Sequence, residues 1–228
     1  MSEPDIVGQI FGWAGTIIAT YFYLAPVVPF IQVLTGKLDY KDSPGILLIM
    51  SFLNCILWTC YGLGIKDFMV YFANGIGGSI TLVWITIYLI FLGKKNIGLA
   101  LGFNFGLIVL VIFFMLFFYY VVNDSNPEIT GYFAMFFNVL MYAAPGEKIY
   151  KVITTKNYKL IPIFSTCGGL ACSLCWLMYG IYQDNWKLYV PNSLGLAFAI
   201  LQVVVYLIYY FKNKEKAPDF PGENDDVV

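Results

Sequence analysis

The stretch Trp58-Thr-Cys-Tyr-Gly-Leu-Gly-Ile-Lys-Asp-Phe-Met-Val-Tyr-Phe-Ala-Asn-Gly-Ile-Gly77 returns in degenerate form as Trp176-Leu-Met-Tyr-Gly-Ile-Tyr-Gln-Asp-Asn-Trp-Lys-Leu-Tyr-Val-Pro-Asn-Ser-Leu-Gly195. A shift of 118 carries Trp58, Tyr61, Gly62, Tyr71, Asn74 and Gly77 onto Trp176, Tyr179, Gly180, Tyr189, Asn192 and Gly195. Six identities at one offset mark an internal repeat. The register also joins Pro44 to Pro162, and becomes 119 for Pro26 with Pro145 and Lys37 with Lys156, so the second copy lacks one residue in its first loop.

Composition names the solvent. Hydrophobic residues make up 60% of the 228, charged residues 12%, and mean hydropathy is +0.74. Such a chain belongs in a bilayer. Apolar runs at 6–34, 44–64, 68–92, 97–122, 129–153, 160–182 and 188–211 are each long enough to cross as a helix and are joined by short loops. Barrel strands would alternate instead. The fold class expected is therefore an all-α membrane protein of seven transmembrane helices. Residues 1–93 form a first triple-helix module, 94–124 a linker helix, 125–211 a second triple-helix module and 212–228 a disordered tail. A single crossing between the copies gives them the same orientation, so the repeat is parallel (3+1+3), about an axis along the membrane normal.

The chain has 13 Lys and no Arg. Eleven of the lysines fall on the side holding Lys37, Lys94, Lys156 and Lys212, against Lys66 and Lys187 on the other. The first side is expected in the cytosol, which places the N-terminus outside and the C-terminus inside, in the plasma membrane or an endomembrane. No cationic segment precedes the first run, so it is read as a retained helix rather than a cleaved signal. Five cysteines fall inside the runs and are expected to be buried thiols. With no His in the chain, no metal site or cofactor is expected, and nothing suggests nucleic acid as a partner. Asn123-Asp-Ser125 is a glycosylation sequon.

Depth counting places the candidate site. Trp58 lies about six residues, roughly 9 Å, from the outer end of its helix, and Asn74 lies equally far into the next. Trp176 and Asn192 repeat this, so two indoles and two carboxamides are expected to line one central cavity. Indole faces pack on the C–H surface of a sugar ring, and an amide offers donors and an acceptor to its hydroxyls. Asn54, Trp58 and Tyr61 form one helical stripe, mirrored by Cys172, Trp176 and Tyr179. Pro26, Pro44, Pro145 and Pro162 all fall in the cytosolic half, where a ring of helix bends suits an inner gate; Pro44 and Pro162 also suit ordinary first-turn prolines. No Asp, Glu or His is placed near the midplane, which excludes the groups that proton coupling uses. Glu147 lies near a helix end with Lys151 at i+4. An enzyme is excluded for want of an activated nucleophile or paired carboxylates.

LAPVVPF at 24–30, FLNCILWTCYG at 52–62, MYAAP at 141–145, VITTKNYKLIP at 152–162 and PNSLGLAFAILQVVVYLIYY at 191–210 resemble the SWEET family of sugar transporters, from about Gly12 to Phe211. The parallel repeat is that family's known architecture. The resemblance implies a uniporter that moves sugar by rocking between two open states, as a homo-oligomer, often a trimer. It implies sugar-binding asparagines at Asn74 and Asn192, stacking tryptophans at Trp58 and Trp176, and a proline tetrad at Pro26, Pro44, Pro145 and Pro162. It further implies pocket positions at Asn54 and Cys172 that tune sugar size, with Asn54 favouring a hexose such as glucose. An outer gate would involve Tyr61 and Tyr179, with Lys66, Asp67 and Asp184 pairing across the mouth. Asp184 stands one residue from the family's usual place, and Gly146-Glu147-Lys148 departs from its small or apolar residues. Two other readings stay open: an exporter of amino acids or other metabolites related to PQ-loop proteins, although the chain has no Pro-Gln dipeptide, and a receptor that binds without passing its ligand.

Overall fold

The computed structural model describes residues 6–37, 45–92, 97–117, 120 and 126–215. Among the described residues, nine α-helices and a 3-10 turn account for the seven crossings. The first crossing is α1 (Ile6–Leu24) and α2 (Val27–Leu34), interrupted at Pro26. Then come α3 (Gly45–Gly64), α4 (Phe68–Leu92) and α5 (Ile97–Phe117). The fifth crossing is again double, α6 (Pro127–Met141) and α7 (Ala143–Thr155). The 3-10 turn Tyr158–Leu160 leads to α8 (Ile163–Tyr182) and α9 (Trp186–Glu215). Among the described residues there is no strand. Helices α1, α4, α8 and α9 are each long and apolar enough to span a bilayer unbroken. Pro44, Asn123 and residues 216–228 lie outside the described residues, while α9 continues four residues beyond the expected limit at 211.

Both breaks have a covalent cause. A proline cannot donate to the carbonyl four residues back, so each helix tightens just before it. The Ala25 amide turns to Phe22 and the Tyr142 amide to Val139, each three residues back. Pro162 is the N-cap of α8, immediately before that helix's first turn.

In each module the third helix is central. Helix α4 packs on α3 and α1, and α9 packs on α8, α7 and α6; α5 lies against α4. The modules meet through α1 with α8 and through α3 with α6, two contacts that exchange under the internal repeat. That exchange is the signature of a self-complementary twofold interface. At the end of the bundle holding Ile6 and the turns 65–67 and 183–185, the modules share one core: Trp58, Tyr61, Met69 and Val70 of the first pack with Ala134, Tyr179 and Leu188 of the second. Toward the opposite end each keeps its own core, Phe30, Leu48, Phe52 and Ile85 in one, Ile149, Val152, Ile161 and Val205 in the other. The molecule is thus fused at its N-terminal end.

Burial corrects one expectation about the cysteines. Cys55 and Cys60 are buried and Cys172 and Cys175 partly so, but Cys167 is exposed near the start of α8. Glu147 and Lys151 form the i,i+4 ion pair expected of them.

Candidate functional site

The turns at the N-terminal end organise the site. Between α3 and α4, Lys66 takes a left-handed φ of 59°, and between α8 and α9 its repeat mate Asp184 takes 50°. Each reversal delivers the next residue as the cap of the following helix: Asp67 Oδ1 accepts from the Val70 amide, and Asn185 Oδ1 from the Lys187 amide. The same two oxygens receive the tyrosines of the opposite module. The Tyr61 hydroxyl donates to Asn185 Oδ1 at 3.1 Å, and the Tyr179 hydroxyl donates to Asp67 Oδ1 at 2.6 Å. Since 61 and 179, like 67 and 185, differ by 118, the two bonds are one contact made twice about the pseudo-twofold axis.

Glycines make room for the rings. A Cβ on Gly12 would stand 3.0 Å from the Tyr179 ring and one on Gly131, its mate at offset 119, 2.7 Å from that of Tyr61. Each seat is completed by one further residue, Met69 beside Gly12 and Lys187 beside Gly131, again an offset pair. Lys187 is buried, paired with Glu128, and its ammonium lies 4.9 Å from the Tyr132 ring and 4.7 Å from that of Trp186.

Behind the tyrosines stand the tryptophans. Trp58 meets Tyr61 edge-on at 5.7 Å and Trp176 meets Tyr179 at 5.6 Å. Trp58 is buried, and Trp176 packs on the same shared core with its indole nitrogen side against Gly15. Asn74 and Asn192 each use one amide hydrogen on the carbonyl four residues back, Val70 and Leu188, both at 2.8 Å. That fixes both carboxamides in one rotamer, with the remaining amide hydrogen and the carbonyl oxygen available to a ligand. Asn54 is buried, and its Oδ1 has no partner among the described residues. An orphaned buried acceptor is costly enough to mark a place where a ligand or water belongs. The Cys172 thiol, its repeat mate, reaches only toward the Gly15 carbonyl at 3.9 Å.

Of the three residues expected to pair across the mouth, Asp67 makes such a contact, to Tyr179, while Lys66 and Asp184 make no ion pair among the described residues, both being exposed on the turns. A cavity of about 540 Å³ lies beyond the tyrosine pair at the N-terminal mouth, lined by Tyr61, Tyr179, Asp67, Asn185 and Lys187 among others. Pro26 sits at the first helix break, Pro145 lies in the first turn of α7 just after the second, Pro162 caps α8, and Pro44 lies outside the described residues.

Sequence reading passed over Asn185, Gly12 with Gly131, and Tyr23 with Tyr142. The repeat carries all of these once both offsets are followed: Tyr-x-Ala-Pro occurs at 23–26 and at 142–145.

The sequence matches the family described as sugar efflux transporters for intercellular exchange, over residues 9–96 and again over 128–214. It is 30% identical to the bidirectional sugar transporter SWEET7b of Oryza sativa subsp. japonica, an alignment covering 92% of this chain and 81% of that protein. It is likewise 30% identical to the bidirectional sugar transporter SWEET1 of Arabidopsis thaliana, over 94% and 88%. Among solved structures it is similar to a eukaryotic SWEET transporter, with a TM-score of 0.78 at 25% identity, covering 91% of this chain and 98% of the other.

Proposed function

The chain belongs to the family of sugar efflux transporters for intercellular exchange, and from that premise we propose that it is a facilitative, bidirectional carrier of a monosaccharide such as glucose, working by alternating access without proton coupling. The observation that carries the reading is the reciprocal gate, Tyr61 on Asn185 and Tyr179 on Asp67. A receptor that merely holds its ligand has no need to bind its two halves across the mouth by a symmetric pair of breakable hydrogen bonds. A carrier does, because one mouth must close while the other opens.

In this reading the conformation is the one closed at the N-terminal mouth, taken as the extracytosolic side from the lysine distribution, and the proline breaks of α1/α2 and α6/α7 serve the opposite, cytosolic gate. The substrate occupies the level of Asn74 and Asn192, stacks on Trp58 and Trp176, and offers a hydroxyl to the orphaned Asn54 oxygen, with Cys172 on the facing wall. Neutral amides and indoles suit an uncharged polyol. The working unit is a homo-oligomer, by the family resemblance.

Uptake of radiolabelled glucose into proteoliposomes, with and without an imposed proton gradient, tests this reading. Saturable uptake indifferent to the gradient is expected; accumulation driven by the gradient would refute uniport, and absence of saturable flux would refute glucose as cargo.

A further inference from the structure

The second pair that the repeat relates, Tyr23 and Tyr142, is held in a way that ties the helix breaks to the asparagines. Each tyrosine lies three residues before the proline of its break, and each lies in a notch left by a glycine three residues beyond an asparagine. A Cβ on Gly77 would stand 2.5 Å from the Tyr23 Cζ, and one on Gly195 2.5 Å from the Tyr142 hydroxyl. Tyr23 meets its notch with ring carbons and Tyr142 with its hydroxyl end, and the two hydroxyls find different partners. Tyr23 Oη takes the thiol of Cys55 at 3.2 Å, a side chain on α3. Tyr142 Oη donates at 2.7 Å to the backbone carbonyl of Pro191, the residue preceding Asn192.

The difference falls where the backbone differs. Pro191 lies inside α9 and, lacking an amide hydrogen, leaves that helix one bond short a turn before the notch. The first module has Ala73 at the equivalent place and no such gap. A helix weakened beside Asn192 gains its orientation from elsewhere, and the Tyr142 hydroxyl is fixed to it at that peptide. We propose, on the basis of the sugar-carrier reading above, that Tyr142 is a positioning residue: its bond to the Pro191 carbonyl latches the α6/α7 break to α9, sets the Asn192 carboxamide, and makes the second module the one whose substrate contact follows the hinge. Tyr23 fills the same notch but leaves the α4 backbone to its own hydrogen bonds.

The test compares Tyr142→Phe with Tyr23→Phe, both of which keep the ring in its notch and remove only the hydroxyl. Two quantities are read in reconstituted protein: KM and maximal rate for glucose, and amide hydrogen exchange across residues 188–198. Loss of one hydrogen bond that orients a binding group is expected to raise KM about 3- to 10-fold in Y142F, with the maximal rate within about twofold and faster exchange in 188–198. Y23F is expected to change neither. A KM for Y142F equal to that of the unmodified protein overturns the proposal, as does exchange that stays the same, or an equal rise in KM for Y23F. Should the unmodified protein carry no glucose, the sugar reading fails on its own, and the exchange comparison alone decides the latch.

Discussion

Asp67 accepts a 2.6 Å hydrogen bond from Tyr179 while its repeat mate Asn185 accepts one of 3.1 Å from Tyr61. The geometry is duplicated, but the chemistry is not: one acceptor is a carboxylate and the other a neutral amide, and charge-assisted hydrogen bonds are the shorter and stronger kind. The two reciprocal hydrogen bonds therefore contribute unequally to holding the modules together at this end.

Asp67→Ala is expected to open the mouth more than Asn185→Ala. Each removes one acceptor from a tyrosine hydroxyl at a cost of about 1–3 kcal/mol, with the charged pair toward the upper end. Spin labels on Ile65→Cys and Gln183→Cys, two residues lining the mouth cavity, report the distance between modules once the exposed Cys167 is replaced by Ser. A wider distribution in the Asp67 variant than in the Asn185 variant is the expected result; equal distributions would show that charge at Asp67 does not matter.

Asn192→Ala and Asn74→Ala are each expected to reduce glucose flux at least tenfold with little loss of folded protein. Each amide's hydrogen bond is to a carbonyl of its own helix, so its loss carries a small structural cost, whereas on the sugar-carrier reading an unpaired sugar hydroxyl costs about 1–3 kcal/mol. Flux in proteoliposomes, normalised to monodisperse protein, decides it, and near-normal flux in either variant would remove that asparagine from the site.

The parts of the molecule readable in advance were those that repetition or hydropathy records. Seven crossings followed from apolar length, and the 3+1+3 order from the offset that carries Trp58 to Trp176. Tyr61 and Tyr179 were visible by the same offset, and Asp67 was named with them, but Asn185 was not. The family resemblance pointed to Asp184, one residue from the usual place, yet the residue that faces Tyr61 is Asn185: Asp184 takes the left-handed turn and Asn185 follows it as the cap of α9. Whether a side chain lies on the crest of a turn or caps the next helix depends on backbone dihedrals that composition and period do not encode. The notches at Gly77 and Gly195 were hidden for a related reason: a glycine in an apolar helix reads as neutral until the ring that fills it is known.

Gly131→Ala is expected to disturb the gate more than Gly12→Ala. An added methyl at 131 would meet the Tyr61 ring at 2.7 Å and the Lys187 stem at 2.5 Å, whereas at 12 the nearest approach is 3.0 Å. Overpacking of this kind costs about 1–3 kcal/mol where neighbours cannot yield. The first substitution should lower the melting temperature in detergent and free Tyr61 from Asn185, the second should do so by less, and the reverse order would show that the Met69 side is the tighter seat.

The two seats also allow a test in which the protein supplies its own control. Met69 completes the seat of Tyr179, and Lys187, bound to Glu128, completes that of Tyr61. Removing only the carboxylate, as Glu128→Gln, leaves an ammonium enclosed by Tyr132 and Trp186 with a weaker partner, an expected loss of about 1–3 kcal/mol. Replacing both, as Lys187→Met with Glu128→Gln, installs the apolar arrangement the first module already uses, and exchange of a buried ion pair for a well-packed apolar side chain is often neutral or stabilising. Melting temperatures should therefore fall for the single variant and return close to the original for the double. If the double variant melts no higher than the single, the ion pair does more at Tyr61 than fill the space that Met69 fills at Tyr179.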